Sequence, residues 1–130
     1  MENYKKTDKA IYLLQYHIIF CPKYRRNILV ENIKDRLESI IKEVSNQNNS
    51  EIKALEIMPN HVHLFVSLNY NISISKYIKN IKGRSSNLLR KEFPELLKMP
   101  TLWTKSFFVS SVGKISEDTV KQYIENQWKK

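Results

Sequence analysis

Glycine and cysteine are almost missing from this sequence. Two glycines in 130 residues are too few for the Gly-rich loop that cradles the phosphates of a nucleotide cofactor, and no such loop is found. The single cysteine, Cys21, excludes an internal disulfide and fits a reducing, cytoplasmic setting. It reads as a small buried apolar residue, because nothing local would lower its pKa and make it a nucleophile. No apolar run approaches the length of a membrane span. Ile11 to Phe20 follows two lysines as a signal peptide would, but Gln15 and His17 interrupt it and no small-residue cleavage site follows. Internal repeats and low-complexity segments are absent too. Acidic residues are in the minority, 13 against 22 Lys and Arg, for a net charge of +9. That imbalance points to a polyanionic partner, nucleic acid before membrane.

What is present suits one globular domain spanning residues 1–130, with 42% apolar and 27% charged residues. Residues 1–9 are polar and expected to fray. Ile11 to Cys21 is apolar on both faces and predicts a central strand covered on both sides. Pro22-Lys23-Tyr24-Arg25-Arg26 ends it in a basic turn. Residues 32–47 predict a helix, with Ile33, Leu37, Ile40, Ile41 and Val44 at helical spacing. Ile52 to Met58 and His61 onward predict a hairpin turning at Pro59-Asn60. A longer helix over 73–92 buries Ile74, Tyr77, Ile78, Ile81, Leu88 and Leu89. Leu102-Trp103 reads as a core anchor, Ser106 to Val112 as the last strand, and Gly113 as its end. A final helix over 116–128 has Ser116 as N-cap and Glu117 and Asp118 in its first turn. Strand, helix, strand, strand, helix, strand is the split βαβ order. The expected fold is therefore α+β: a ferredoxin-like or RRM-like four-stranded antiparallel sheet with both helices on one face, plus an extra C-terminal helix.

Met58-Pro59-Asn60-His61-Val62-His63-Leu64-Phe65-Val66 carries the most chemistry. Alternation along a strand sends His61 and His63 to one face and Val62, Leu64, Val66 and Leu68 to the other. Two imidazoles on a rigid strand could hold one metal ion, although a polar strand face can equally carry two solvated histidines. On the final helix Tyr123 and Gln127 are four apart and share a face. If that face docked beside the histidines, two imidazoles and an amide oxygen would leave coordination positions open, as a catalytic metal requires. Spacing alone also allows a surface tyrosine and a solvated glutamine. The 73–92 helix carries Lys76, Lys79, Lys82, Arg84, Arg90 and Lys91, and so offers a basic surface that could track phosphates.

Five segments together resemble the single-tyrosine HUH transposases, small insertion-sequence enzymes that act on single-stranded DNA. They are Tyr16-His17 to Cys21-Pro22-Lys23-Tyr24-Arg25-Arg26; Met58-Pro59-Asn60-His61-Val62-His63; Lys82-Gly83-Arg84-Ser85-Ser86; Leu102-Trp103 to Phe108-Val109; and Tyr123-Ile124-Glu125-Asn126-Gln127. The resemblance spans roughly residues 11–128. It implies a homodimeric, metal-dependent DNA strand transferase that recognises DNA hairpins near element ends. His61 and His63 match the family's HUH ligands, Gln127 its third ligand and Tyr123 its nucleophile. In the family the tyrosine helix of one subunit completes the histidine site of the other. Many members carry a Gly-rich stretch before the Trp, where this chain has Lys98-Met99-Pro100-Thr101.

A phenol with a pKa near about 10 needs its oxyanion stabilised before it attacks at neutral pH, and a divalent ion can also polarise the scissile phosphate. Attack by Tyr123 at phosphorus would expel a 3′-hydroxyl and leave a 5′-phosphotyrosine that a second 3′-hydroxyl can reverse. Mg²⁺ prefers oxygen ligands and Mn²⁺ tolerates imidazole better, so either ion suits the ligand set. Arg25, Arg26, Lys79, Lys82 and Arg84 are the expected phosphate contacts. Three other functions compete: a non-catalytic nucleic-acid-binding sheet, which leaves His-x-His unexplained; an HUH nickase, for which the chain has no room for a helicase or origin-binding domain; and a host-recruited relative that processes repeated hairpins.

Overall fold

The computed structural model describes residues 5–7, 11–111 and 122–126. A two-stranded ribbon comes first, β1 (Lys5–Lys6) against β2 (Ile11–Tyr12). The main sheet comprises β3 (Gln15–Phe20), β4 (Glu51–Met58), β5 (His61–Ser67) and β6 (Phe108–Ser110). Two long helices, α1 (Glu31–Gln47) and α2 (Ile74–Glu92), provide the crossovers. The sheet order is β4-β5-β3-β6, every pair antiparallel. This is the split βαβ topology expected from the element order.

Periodicity explains why these segments fold as they do. Leu37, Ile40, Ile41 and Val44 of α1, and Tyr77, Ile78, Ile81 and Leu89 of α2, are buried in one cluster. They meet Ile18, Phe20, Val62, Leu64 and Val66, the residues that alternation sends to one sheet face. Leu102 and Trp103 close this core. The Trp103 indole lies edge-on to Phe20, and its Nε1 donates to buried Ser85 Oγ at 2.9 Å. Ser73 caps α2 by accepting from the Lys76 amide at 3.1 Å. Among the described residues no helix is long and apolar enough to cross a membrane.

The structure departs from the expected boundaries where long-range pairing intervenes. Ile11 to Cys21 is not one strand. Tyr12 turns to pair with Lys5, and Leu14 bonds through its carbonyl to the Leu68 amide at 2.7 Å before β3 begins. Lys5–Lys6 is accordingly paired rather than frayed, with Lys5 also ion-paired to Glu51 at 3.1 Å. Past Phe20 the chain leaves the sheet register: Cys21 accepts from the Thr104 amide at 3.0 Å, and Pro22 bridges to Trp103. The last strand starts at Phe108 rather than Ser106. Val112, Gly113 and the expected cap Ser116 lie outside the described residues, as does most of the 116–128 helix, of which 122–126 are helical.

Candidate active site

The candidate site residues lie on the second face of the sheet. In β5, Val62, Leu64 and Val66 are fully buried, while His61, His63 and Phe65 point to the opposite side and are half-buried. His61 Nδ1 lies 2.9 Å from Asn60 Oδ1. An amide oxygen only accepts, so Nδ1 holds the proton and Nε2 keeps its lone pair. Burial, foremost, lowers the pKa of both imidazoles. The His63 ring and Arg25 add to the effect at His61, and the His17 ring adds to it at His63. Glu56, across the ladder from His63, opposes it. Both rings are therefore neutral at pH 7, the state a metal ligand needs.

Residues 122–126 lie on this same face. Ile124 is buried against Ile19 and Cys21, and Tyr123 packs against this cluster with its ring 5.6 Å from Phe108. Ile19 is the register partner of both His63 and Phe108. The segment carrying the tyrosine thus docks on the strand directly beside the histidine strand. Burial pushes the Tyr123 phenol up to about 12, with the Ser106 side chain only partly offsetting it. Its Oη is buried and reaches no full hydrogen bond among the described residues. The thiol of Cys21, below it, is likewise driven up to about 12 by burial, against the pull of Arg25 and Lys82. Cys21 is thus the inert core thiol its sequence context suggests.

The donor set fits a divalent ion in part. Two neutral imidazoles share a face, and one is held by a carboxamide as ligating histidines generally are. Among the described residues no three His, Cys, Asp or Glu side chains gather closely enough to hold an ion unaided. Any third protein ligand would be of another residue type or from another segment. Gln127, expected in that role, lies outside the described residues.

The expected phosphate contacts divide into two sets. Arg25 and Arg26 sit on the turn after β3, where Tyr24 and Arg25 both adopt left-handed backbone angles, φ 59° and 50°. Strain of this kind costs on the order of 1–3 kcal/mol per residue and clusters at ligand-binding turns. Arg25 is near enough to His61 to lower its pKa. Lys79 is exposed on α2. Lys82, by contrast, turns inward: its Nζ donates to the carbonyls of Thr104 at 2.6 Å and Ser106 at 3.3 Å. Arg84 bonds Gln47 Oε1 at 2.6 Å and ion-pairs with Glu43 on α1.

One residue near the site went unselected by sequence reasoning. His17 Nδ1 lies 3.3 Å from His63 Nε2, and its ring stacks on Phe65 with centroids 4.4 Å apart and planes 8° apart. The signal was a third histidine on the strand expected to be central, but only the β3–β5 register brings it beside His63.

An antiparallel split-βαβ sheet, with paired neutral imidazoles and a tyrosine-bearing helical segment on the face opposite its two long helices, defines the class of protein. Residues 10–127 match the family described as "Transposase IS200 like", and the chain belongs to that family. It is 33% identical over 126 residues to the ISDra2 transposase TnpA of Deinococcus radiodurans, covering 95% of this chain and 90% of that one. The transposase for insertion sequence element IS200 of Salmonella typhimurium is 28% identical over 116 residues, 87% of this chain and 76% of that protein. A crystal structure of a Deinococcus radiodurans R1 protein described as a transposase superposes with a TM-score of 0.87 at 37% identity, covering 95% of this chain and 97% of that one. A REP-associated tyrosine transposase bound to a REP hairpin shares the fold, with a TM-score of 0.57 at 16% identity over 92% of this chain and 69% of that one.

Proposed function

We propose that this transposase cleaves and rejoins single-stranded DNA at insertion-sequence ends through a 5′-phosphotyrosine on Tyr123. A divalent ion, Mg²⁺ or Mn²⁺, would be held by His61, His63 and Gln127. The observation that carries the proposal is the docking of Ile124 on Ile19 and Cys21, beside the strand that bears the two histidines. Phenol and imidazoles share a sheet face although 60 residues separate them in sequence.

The chain's own groups account for most of what the reaction needs. When bound, the ion would polarise a phosphate oxygen and stabilise the phenolate. His61 is oriented for this by Asn60, and His63 stays neutral through burial. Tyr123 Oη would attack phosphorus in line with the departing 3′-oxygen. Its proton would pass to solvent as the Oη–P bond forms, the P–O3′ bond would break, and the departing 3′-oxygen would take a proton from solvent and leave as a 3′-hydroxyl. A phenol held at about 12 attacks very little unaided, which suits a nucleophile engaged only when DNA reaches the site. Arg25, close enough to His61 to lower its pKa, would meet the scissile phosphate. Arg26 and Lys79, both exposed, would supply further charge-assisted contacts to a hairpin, independent of sequence. Lys82 and Arg84 contribute by shaping the scaffold. The working unit would be a homodimer; in the single chain the tyrosine segment docks on its own sheet, and exchange of these helices between subunits would bring each tyrosine to the partner's histidines.

The test is to incubate the protein with a labelled single strand bearing a hairpin and an element end, with and without Mn²⁺. A denaturation-resistant adduct should form only with the ion. It should vanish in Tyr123→Phe and in His61→Ala, while both variants still bind the hairpin. An adduct that persists in Tyr123→Phe would assign the nucleophile elsewhere.

A further inference from the structure

The proposed ion site uses two histidines and leaves the third unexplained. His17 is no casual neighbour. Its ring is held flat against Phe65, and together they line a small cavity of about 100 Å³ with Ala54, Glu56 and His63. The His17 Nδ1 to His63 Nε2 distance of 3.3 Å joins β3 to β5 across 46 residues of sequence.

A hydrogen bond between the facing nitrogens places one proton between the two rings, and its direction matters. If His17 donated, His63 Nε2 would accept and its own proton would sit on Nδ1, leaving no lone pair for an ion. If His63 donates through Nε2–H, its Nδ1 is bare. We propose that His17 is a positioning residue for His63: it accepts the Nε2–H proton at its own Nδ1, fixes the His63 tautomer, and turns the His63 Nδ1 lone pair to the ion. The two ligands are then held in complementary ways, His61 through Asn60 on its Nδ1 side and His63 through His17 on its Nε2 side. Outer partners that fix a ligand's tautomer typically change metal affinity by about 10–100-fold when removed. This inference rests on the ion-site reading above.

Two measurements test it. Long-range ¹H–¹⁵N correlation spectra of the metal-free protein report imidazole tautomers directly. His63 should show a protonated Nε2 and a bare Nδ1 in the wild type, and a mixture of tautomers in His17→Phe, which keeps an aromatic ring against Phe65. Mn²⁺ affinity, measured by paramagnetic resonance, should fall about 10–100-fold in His17→Phe and recover in part in His17→Asn, whose amide oxygen can take the place of Nδ1. Unfolding midpoints of both variants separate loss of fold from loss of positioning. The opposite His63 tautomer, or unchanged Mn²⁺ affinity in a folded His17→Phe, overturns the role of His17 while leaving the ion site standing. Wild-type protein that binds no Mn²⁺, or binding indifferent to His61→Ala, overturns the ion site itself.

Discussion

Replacing Lys82 by methionine separates a structural cation from a DNA-binding one. Lys82 is half-buried on α2, and its ammonium bonds two backbone carbonyls, Thr104 O and Ser106 O, in the segment that leads into β6. Burial lowers its pKa, as expected for an ammonium turned inward. Hydrogen bonds to a charged group contribute about 1.5–3 kcal/mol each. The loop carbonyls can regain some water once the ammonium is gone, so the loss is set at about 2–3 kcal/mol. Methionine keeps much of the aliphatic stem, which limits the packing loss. With a urea m-value of about 1.5 kcal/mol/M, the unfolding midpoint should fall by about 1–2 M. The slope of log K against log salt for hairpin binding should stay that of the wild type. Lys79→Ala should do the reverse: stability within about 0.5 kcal/mol and a slope shallower by roughly 0.7–0.9, the loss of one phosphate contact. Circular dichroism in urea and a salt series of hairpin titrations read both quantities. A Lys82→Met protein with a wild-type midpoint and a slope reduced by about one phosphate would refute the assignment.

Two further outcomes follow from the same geometry. Mixing Tyr123→Phe chains with His61→Ala chains should restore adduct formation that neither shows alone, because a heterodimer with exchanged helices contains one intact site; continued inactivity of mixed dimers would place tyrosine and histidines on the same chain. Cys21, fully buried with its thiol near 12 rather than 9.0, should alkylate at pH 8 at least about 10³-fold more slowly than an unfolded cysteine, since the thiolate is the reacting form, and native labelling within tenfold of the denatured rate would contradict that environment.

The parts of the molecule legible in its sequence are those governed by local period. The stripes Leu37, Ile40, Ile41, Val44 and Tyr77, Ile78, Ile81, Leu89 are buried as their spacing requires. His61 and His63 emerge on one face because strand alternation leaves no other choice. Local period also misleads where tertiary contacts intervene. Lys82 and Arg90 fall among basic residues that look solvated, yet both spend their charge on backbone carbonyls, Arg90 on Met99 O at 2.9 Å. Nothing in the α2 sequence marks Ser85 as the buried acceptor for Trp103. The contact between His17 and His63 depends on strand register across α1 and the β4–β5 hairpin, and no periodicity encodes it. The break at Leu13-Leu14 has the same origin, since partners from outside the run decide where pairing begins.

Tyr123 Oη is the atom expected to hold the DNA. After reaction of a hairpin-bearing single strand with the protein in Mn²⁺, the adduct can be digested with protease and nuclease and the modified peptide sequenced by mass spectrometry. A phosphonucleotide mass on Tyr123, with a free 3′-hydroxyl on the released strand, is the predicted result. The same mass on another residue, or a 3′-phosphate on the released strand, would contradict it.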